Sequence, residues 1–335
     1  MDIKPNAIYQ CDSLSLLERF NDDYIDLVFL DPPFLVDDNI LQLSFQQINP
    51  DKNFTSYLDF ISRIIQQSHR VLKEDGNLAI HISPKLSNFI RILLDENFKR
   101  KNYRNEFIIP NKHIGRFTQQ RPSQTVMIFY AKSEKSKLNT ITRKFTPEDL
   151  NNELVYKYKD SELGYLLQDN NDFAKLFEEM DWQIKVGNIW DDIESKSWHQ
   201  QKNNFLGFLD IEVVKRVIKI GTNEGDLIFD AFLGSGVSLI GANELNRKWI
   251  GCDKSEDMIE LAVKALEEIG LEANKDFSLF NDEKSINKIP PVARKYFKPF
   301  EWLSFGSSKK FIHGQVLKIE ETRNYEFKEI KGNNP

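Results

Sequence analysis

The stretch Ile228-Phe229-Asp230-Ala231-Phe232-Leu233-Gly234-Ser235-Gly236-Val237 constrains this chain most. An apolar run with β propensity, Leu227 to Phe229, meets an acidic residue and then two closely spaced glycines. An alternating apolar pattern follows from Val237 through Leu239, Ile240 and Leu245. That order predicts strand, tight turn and helix. Glycines at 234 and 236 let the backbone approach a ligand with no Cβ in the way. The turn falls at the carboxyl end of a strand, where open α/β sheets bind ligands. A second predicted strand, Trp249 to Cys252, ends in Asp253. A carboxylate about 20 residues past such glycines is placed to accept from ribose hydroxyls. The pattern is therefore a nucleoside half-site. It is not a full G-x-G-x-x-G and no Walker lysine follows, so a pyrophosphate ligand is disfavoured. Read alone, a glycine pair in such a turn serves packing equally well.

Two more predicted strands end in chemistry. Ala7 to Gln10 runs into Cys11-Asp12, with a helix expected over Leu14 to Phe20. Asp12 reads either as an N-cap, worth about 1 kcal/mol, or as an acceptor for a ligand's base, and one residue can do both. Ile25 to Leu30 runs into Asp31-Pro32-Pro33-Phe34. Two prolines fix φ and remove two backbone donors, leaving their carbonyls as acceptors beside a carboxylate and an aromatic ring. An exocyclic amino group on a flat base wants that set, because its N–H groups donate and its ring stacks. The packing alternative is a rigid turn with Phe34 in the core.

The rest of the chain supplies a scaffold. A loop is expected from 35 to 50, then an amphipathic helix from Thr55 to Leu72 carrying Leu58, Ile61, Ile64, Ile65 and Val71. Asp75-Gly76 is expected to turn the chain into a strand, Leu78 to Ile82, in which His81 reads as a satisfied core or edge histidine rather than a catalyst. A helix over Leu86 to Leu94 precedes two strands, Glu106 to Ile109 and Thr125 to Tyr130, predicted to pair antiparallel. Ile211 to Ile220 is a predicted helix with Asp210 as N-cap and Gly221 as its C′ stop. Ser255 to Ile269 is another, with Glu256 and Asp257 in the first turn as the helix dipole prefers. Phe311 to Ile319 alternates like a short strand.

Charge is uneven along the chain. The net charge is -6, yet 98–144 concentrates lysine and arginine, including Lys112, Arg116 and Arg121, with polar Asn111, Gln119, Gln120 and Gln124 interleaved. Cations with amides suit phosphate contact and base reading, the plain alternative being a solvated face. Hydrophobic content of 40% and charged content of 29% describe an ordinary globular protein. No apolar run approaches the roughly 20 residues of a membrane span, and Met1-Asp2-Ile3-Lys4 has no signal-peptide pattern. Two cysteines, Cys11 and Cys252, give neither a disulfide framework nor metal-ligand spacing, and His199 has no partner of its kind nearby. The expectation is a cytoplasmic protein with no metal.

Asp31-Pro32-Pro33-Phe34 after one strand, and Phe232-Leu233-Gly234-Ser235-Gly236 after a later one, together resemble the S-adenosylmethionine-dependent amino-methyltransferases of DNA. The order, tetrad first and glycine turn far downstream, is similar to the β class found in bacterial restriction-modification systems. The resemblance runs from about Ala7 to Ile269. It implies a Rossmann-like, doubly wound α/β fold with a mostly parallel sheet and an antiparallel edge hairpin. The implied layout is a first catalytic part over 1–144, an inserted target-recognition region over 145–207, a second catalytic part over 208–272 and a C-terminal appendage over 273–335. It implies that Asp230, Phe232, Gly234, Ser235 and Gly236 hold the methionine and ribose end of S-adenosylmethionine. Asp253 would take the ribose hydroxyls, and Asp12 the adenine amino group. Asp31 and the Pro32 carbonyl would accept from the target amino group beside Pro33, with Phe34 stacking on the extruded base. Duplex DNA is the implied substrate, with Lys112, Arg116, Arg121 and Gln124 as candidate contacts.

Two departures stand out. Family members usually carry a Pro-Thr-Gln-Lys-Pro-like stretch where this chain has Phe205-Leu206-Gly207-Phe208, which leaves Phe208 as the candidate at the cofactor's amino-acid end. Phe34 replaces the commoner tyrosine and keeps the stacking face without the phenol. Aspartate at the tetrad's first position resembles adenine-N6 enzymes more than cytosine-N4 ones, where serine is usual. A homodimer and a cognate restriction endonuclease are partners the residues do not decide. A different class, a non-catalytic module of the same fold that only binds nucleic acid, would have no need of intact Asp31, Gly234 and Asp253.

Overall fold

Alternation between apolar side chains facing opposite ways organises the protein. A computed structural model describes residues 3–33, 54–110, 124–144, 183–193, 209–272, 275, 278–281, 311–312 and 315–316. Its elements are β1 (Ala7–Gln10), α1 (Ser13–Leu17), β2 (Ile25–Leu30), α2 (Phe54–Val71), β3 (Leu72–Ile82), α3 (Pro84–Phe98), β4 (Tyr103–Pro110), β5 (Gln124–Ala131), β6 (Thr142–Lys144), β7 (Gln183–Lys185), α4 (Ile211–Gly221), β8 (Leu227–Asp230), α5 (Val237–Glu244), β9 (Lys248–Asp253), α6 (Glu256–Glu268) and β10 (Ser278–Asn281). Among the described residues, eight strands form one sheet in the order β10-β1-β9-β8-β2-β3-β5-β4. Pairing is parallel except where β5 runs against both β3 and β4. This is the expected doubly wound α/β fold with its antiparallel edge hairpin.

Successive strand residues point to opposite faces. Val28, Leu30, Leu78, Ile80, Ile128 and Ile250 join one core with α1, α2 and α3. Leu27, Phe29, Ala79, Met127, Phe129 and Trp249 join the other with α4, α5 and α6. The second core also takes Trp190, 1% exposed, whose ring stacks on Phe107 at 4.7 Å between centroids. Asp192, two residues on, receives both terminal nitrogens of Arg216 on α4 at 2.7 Å. Residues 183–193, within the span read as an insert, are thus fastened to the sheet's α4 side.

Several local expectations change. α1 stops at Leu17 instead of Phe20, and the Arg70 guanidinium takes the Leu17 and Phe20 carbonyls at 2.8 and 2.9 Å, drawing the chain off the helix. Asp75 and Gly76 lie inside β3 rather than in a turn before it. The β2–β3 register slips between Ile25↔Leu72 and Leu27↔Asn77, so the extra residues form an irregularity in one strand. Gly221 is the last residue of α4 rather than its C′ stop. Thr222 is the cap, and a Cβ on Gly221 would lie 3.0 Å from Leu27 Cδ1. Phe311–Ile312 and Gln315–Val316 pair as a two-strand ribbon instead of one strand. Among the described residues no helix is long and apolar enough to cross a membrane.

Candidate active site

Three strand ends meet at one edge of the sheet. β8 lies between β2 and β9, with Phe29 registered against Asp230 and Asp230 against Gly251. Asp31 stands two residues past Phe29, and the glycine turn begins directly after Asp230. Both therefore leave the carboxyl edge of adjacent parallel strands, where open α/β sheets carry their ligand crevice. The Asp31 side chain is 24% exposed, open enough to meet a ligand. Pro32 is buried and Pro33 half-buried, anchoring the turn. Phe34 lies outside the described residues.

The turn is organised by its own carboxylate. Asp230 is buried; its Oδ1 accepts from the Phe232 amide at 2.9 Å and its Oδ2 from the Ser238 hydroxyl. Burial pushes the Asp230 carboxyl up to about 7, with the nearby carboxylates of Asp31 and Asp253 adding to the rise against those two bonds. Gly236 has φ +79°, and a Cβ there would sit 2.8 Å from the Ala262 Cβ of α6. Packing of the turn on α6, rather than ligand approach, thus demands glycine at 236.

Asp253 closes the turn from the next strand. Its Oδ2 accepts from the Gly234 amide at 3.0 Å and its Oδ1 from the Ser255 amide at 2.9 Å. A carboxylate has further lone pairs, so both oxygens can still accept from a ligand hydroxyl. Burial raises its proton affinity, against the backbone donors that lower it. Asp12 lies across from Asp253, because Gln10 registers against Asp253 and the Cys11 amide bonds the Asp253 carbonyl at 3.0 Å. Asp12 is indeed an N-cap, its Oδ1 accepting from Ser15 at 3.1 Å. The neighbouring Ser13 hydroxyl donates to the Ala231 carbonyl, tying the β1 end to the glycine turn. Cys11 and Cys252 are both free and buried beneath these carboxylates.

The turn also carries an incompletely satisfied polar atom. Ser235 is 1% exposed and its Oγ has no hydrogen-bond partner among the described residues. A buried hydroxyl without a partner costs free energy, so a polar ligand in the turn is the natural complement. The sequence reasoning missed two residues here. His81 Nδ1 lies 2.8 Å from Asp31 Oδ1 and its Nε2 lies 2.7 Å from Thr125 Oγ1. The reading of His81 as a satisfied histidine holds, but its partner is the tetrad carboxylate. A polar ring within the apolar run Leu78 to Ile82 was the available signal, since a buried polar group needs partners. Gln124 opens β5 and pairs with Pro110, while Lys112, Arg116, Arg121 and Phe208 lie outside the described residues.

A doubly wound sheet with a glycine turn, an acidic strand end beside it and an Asp-Pro-Pro turn on the adjoining strand places these groups where open α/β sheets bind ligands. The chain belongs to the DNA methylase family of the N6/N4 type, whose model matches residues 25–264. The methyl donor of that family is S-adenosylmethionine. Among curated relatives, the Type II methyltransferase M.BamHI of Bacillus amyloliquefaciens is 29% identical over 313 residues, which is 88% of this chain and 64% of the relative. The chain thus spans just under two thirds of that relative's length. The DNA adenine methyltransferase YhdJ of Escherichia coli (strain K12) is 24% identical over 78% of this chain and 82% of the relative. The solved structure of the PvuII DNA methyltransferase, described as cytosine-N4-specific, shares the fold with a TM-score of 0.52 at 16% identity, covering 84% of this chain and 92% of that one.

Proposed function

We propose that this protein transfers a methyl group from S-adenosylmethionine to the exocyclic amino nitrogen, N6, of adenine in duplex DNA. The observation that carries the reading is the register of Phe29 against Asp230, which sends Asp31 and the glycine turn out of one edge of the sheet. When bound, the cofactor supplies an electrophilic methyl group on a sulfonium sulfur. Gly234, Ser235 and Gly236 would hold its methionine and ribose end, with Phe232 and the Asp230 that shapes the turn. Asp253 would take the ribose hydroxyls and Asp12 the adenine amino group. Phe208 remains the candidate at the amino-acid end.

The target base is paired and stacked in duplex DNA, so it must be extruded at a few kcal/mol. Asp31 and the Pro32 carbonyl would accept its two amino hydrogens, drawing the nitrogen lone pair out of conjugation with the ring. Phe34 would stack on the base. As the nitrogen took the methyl carbon, the carbon–sulfur bond would break and the sulfur would leave as a neutral thioether; the positive charge gained by the nitrogen would be stabilised by the Asp31 carboxylate until a proton passed to water. Holding both reactants at attack distance supplies much of the rate. Lys112, Arg116, Arg121 and Gln124 would contact the duplex. Aspartate at the tetrad's head favours adenine over cytosine.

The test is incubation of the full chain with methyl-labelled S-adenosylmethionine and mixed-sequence duplex DNA, followed by nucleoside analysis. Label in 6-methyladenine supports the reading. Label in 4-methylcytosine would move the target to cytosine N4. Cofactor and DNA binding with no transfer would indicate a non-catalytic binding module.

A further inference from the structure

Thr125, His81 and Asp31 form a hydrogen-bonded line across three adjacent strand ends. The β2–β3 register pairs Leu30 with Ile80, so one further step brings Asp31 beside His81. The β3–β5 register pairs His81 with Met127, so Thr125, two residues earlier on β5, projects from the same face. Phe29, Ala79 and Met127 on that face all belong to the α4-side core. The His81 side chain is 5% exposed, so the middle of the line is shielded from water, while Asp31 and Thr125 at its two ends are each partly exposed.

A carboxylate only accepts, so Nδ1 carries the proton and donates to Asp31 Oδ1. Nε2 faces the Thr125 hydroxyl, which can accept from it or donate to it. The consequence for Asp31 is one oxygen fixed and one left over: among the described residues, none bonds Oδ2. We propose that His81 is a positioning residue, which sets the plane of the Asp31 carboxylate and turns Oδ2 toward the amino group to be methylated, with Thr125 fixing the ring. The inference rests on the reading of Asp31 as acceptor for that amino group. It assigns to His81 and Thr125 a part in the turnover step and none in holding the cofactor.

The full chain in three His81 variants tests it. In His81→Asn the side-chain nitrogen occupies the place of Nδ1 and keeps the donor to Asp31. In His81→Gln the amide reaches the place of Nε2, keeps company with Thr125 and loses Asp31. Glutamine is nearer histidine in volume, so a packing role alone ranks Gln above Asn. The positioning role ranks them the other way. Expected is a kcat within about 5-fold of wild type for Asn and a fall of about 10–100-fold for Gln and for His81→Ala, with the KM for DNA and the Kd for S-adenosylmethionine little changed. Thr125→Val, at a half-buried position, should lower kcat by about 3–10-fold through loss of the ring's orientation. Gln ranking at or above Asn, or an unchanged kcat in Thr125→Val, would overturn the inference. Asp31→Ala, measured in parallel, separates the two levels. Turnover surviving in Asp31→Ala sinks the acceptor reading itself, whereas a silent Asp31→Ala beside an active His81→Gln sinks only the role of His81.

Discussion

The Asp253 carboxylate accepts the Gly234 amide at 3.0 Å, so the acidic end of one strand shapes the glycine turn that follows its neighbour. The same side chain that would bond a ribose therefore also holds the loop beneath it. Removing it has two effects of one sign. Asp253→Ala leaves the Gly234 and Ser255 amides without their acceptors and takes away the hydroxyl partner. A lost charge-assisted bond is worth about 1.5–3 kcal/mol, which corresponds to S-adenosylmethionine binding weaker by about 10–100-fold. Titration calorimetry on the apo protein reads this directly.

Gly236 couples the turn to α6. Gly236→Ala places a methyl group 2.8 Å from Ala262 Cβ in a backbone conformation of φ +79°. Overpacking of this kind costs about 1–3 kcal/mol, and the left-handed conformation about 1–2 kcal/mol more. The urea midpoint should fall accordingly. Adding Ala262→Gly relieves the contact but not the φ strain, so the double variant should be less destabilised than the sum of the two singles.

Asp230 makes stability depend on pH. Its folded value of about 7 exceeds the roughly 3.9 of an unfolded aspartate, so the folded state binds the extra proton between those limits. Its contribution to stability is lost as pH rises through that window, and the full penalty of a buried charge is present above it. Asp230→Asn cannot titrate and keeps an acceptor for the Phe232 amide. Thermal melts from pH 5 to pH 8 should show the wild type losing Tm relative to the variant as pH rises, with most of the divergence complete by pH 8.

Arg216 fastens residues 183–193 to the α4 side of the sheet. Its bidentate pair with Asp192 is largely shielded, the side chains being 14% and 16% exposed. Arg216→Ala leaves the Asp192 carboxylate with Arg143, 3.7 Å away, as its remaining cation. The expected loss is about 2 kcal/mol, read as a lower urea midpoint, with Trp190 fluorescence shifting because its ring lies against the same guanidinium.

The strand–turn–helix over 227–244 was legible because period-two and helical apolar patterns change over at the glycines, and that local grammar also marked β1, β2, α2 and the β4–β5 pair. Local signals also misled. Asp75-Gly76 looks like a turn, yet a register slip against β2 absorbs it into β3. Gly221 looks like a helix stop, yet its lack of a side chain answers Leu27 across the core. Asp31, the glycine turn and Asp253 were recognisable one by one from the residue types around them. The bond between Asp31 and His81 was not, because it depends on strand register between segments 50 residues apart in sequence. The need for glycine at 236 likewise comes from Ala262, on a helix that no local pattern ties to the turn.

The account stands on Asp31 acting on the amino group while the glycine turn holds the donor. The direct measurement is Asp31→Ala assayed for both transfer of labelled methyl to DNA and binding of S-adenosylmethionine. The account predicts turnover reduced to background with cofactor affinity within about 3-fold of wild type, as expected when an interaction made only in the transition state is removed. Methyl transfer near the wild-type rate, or cofactor affinity lost in step with activity, would contradict it.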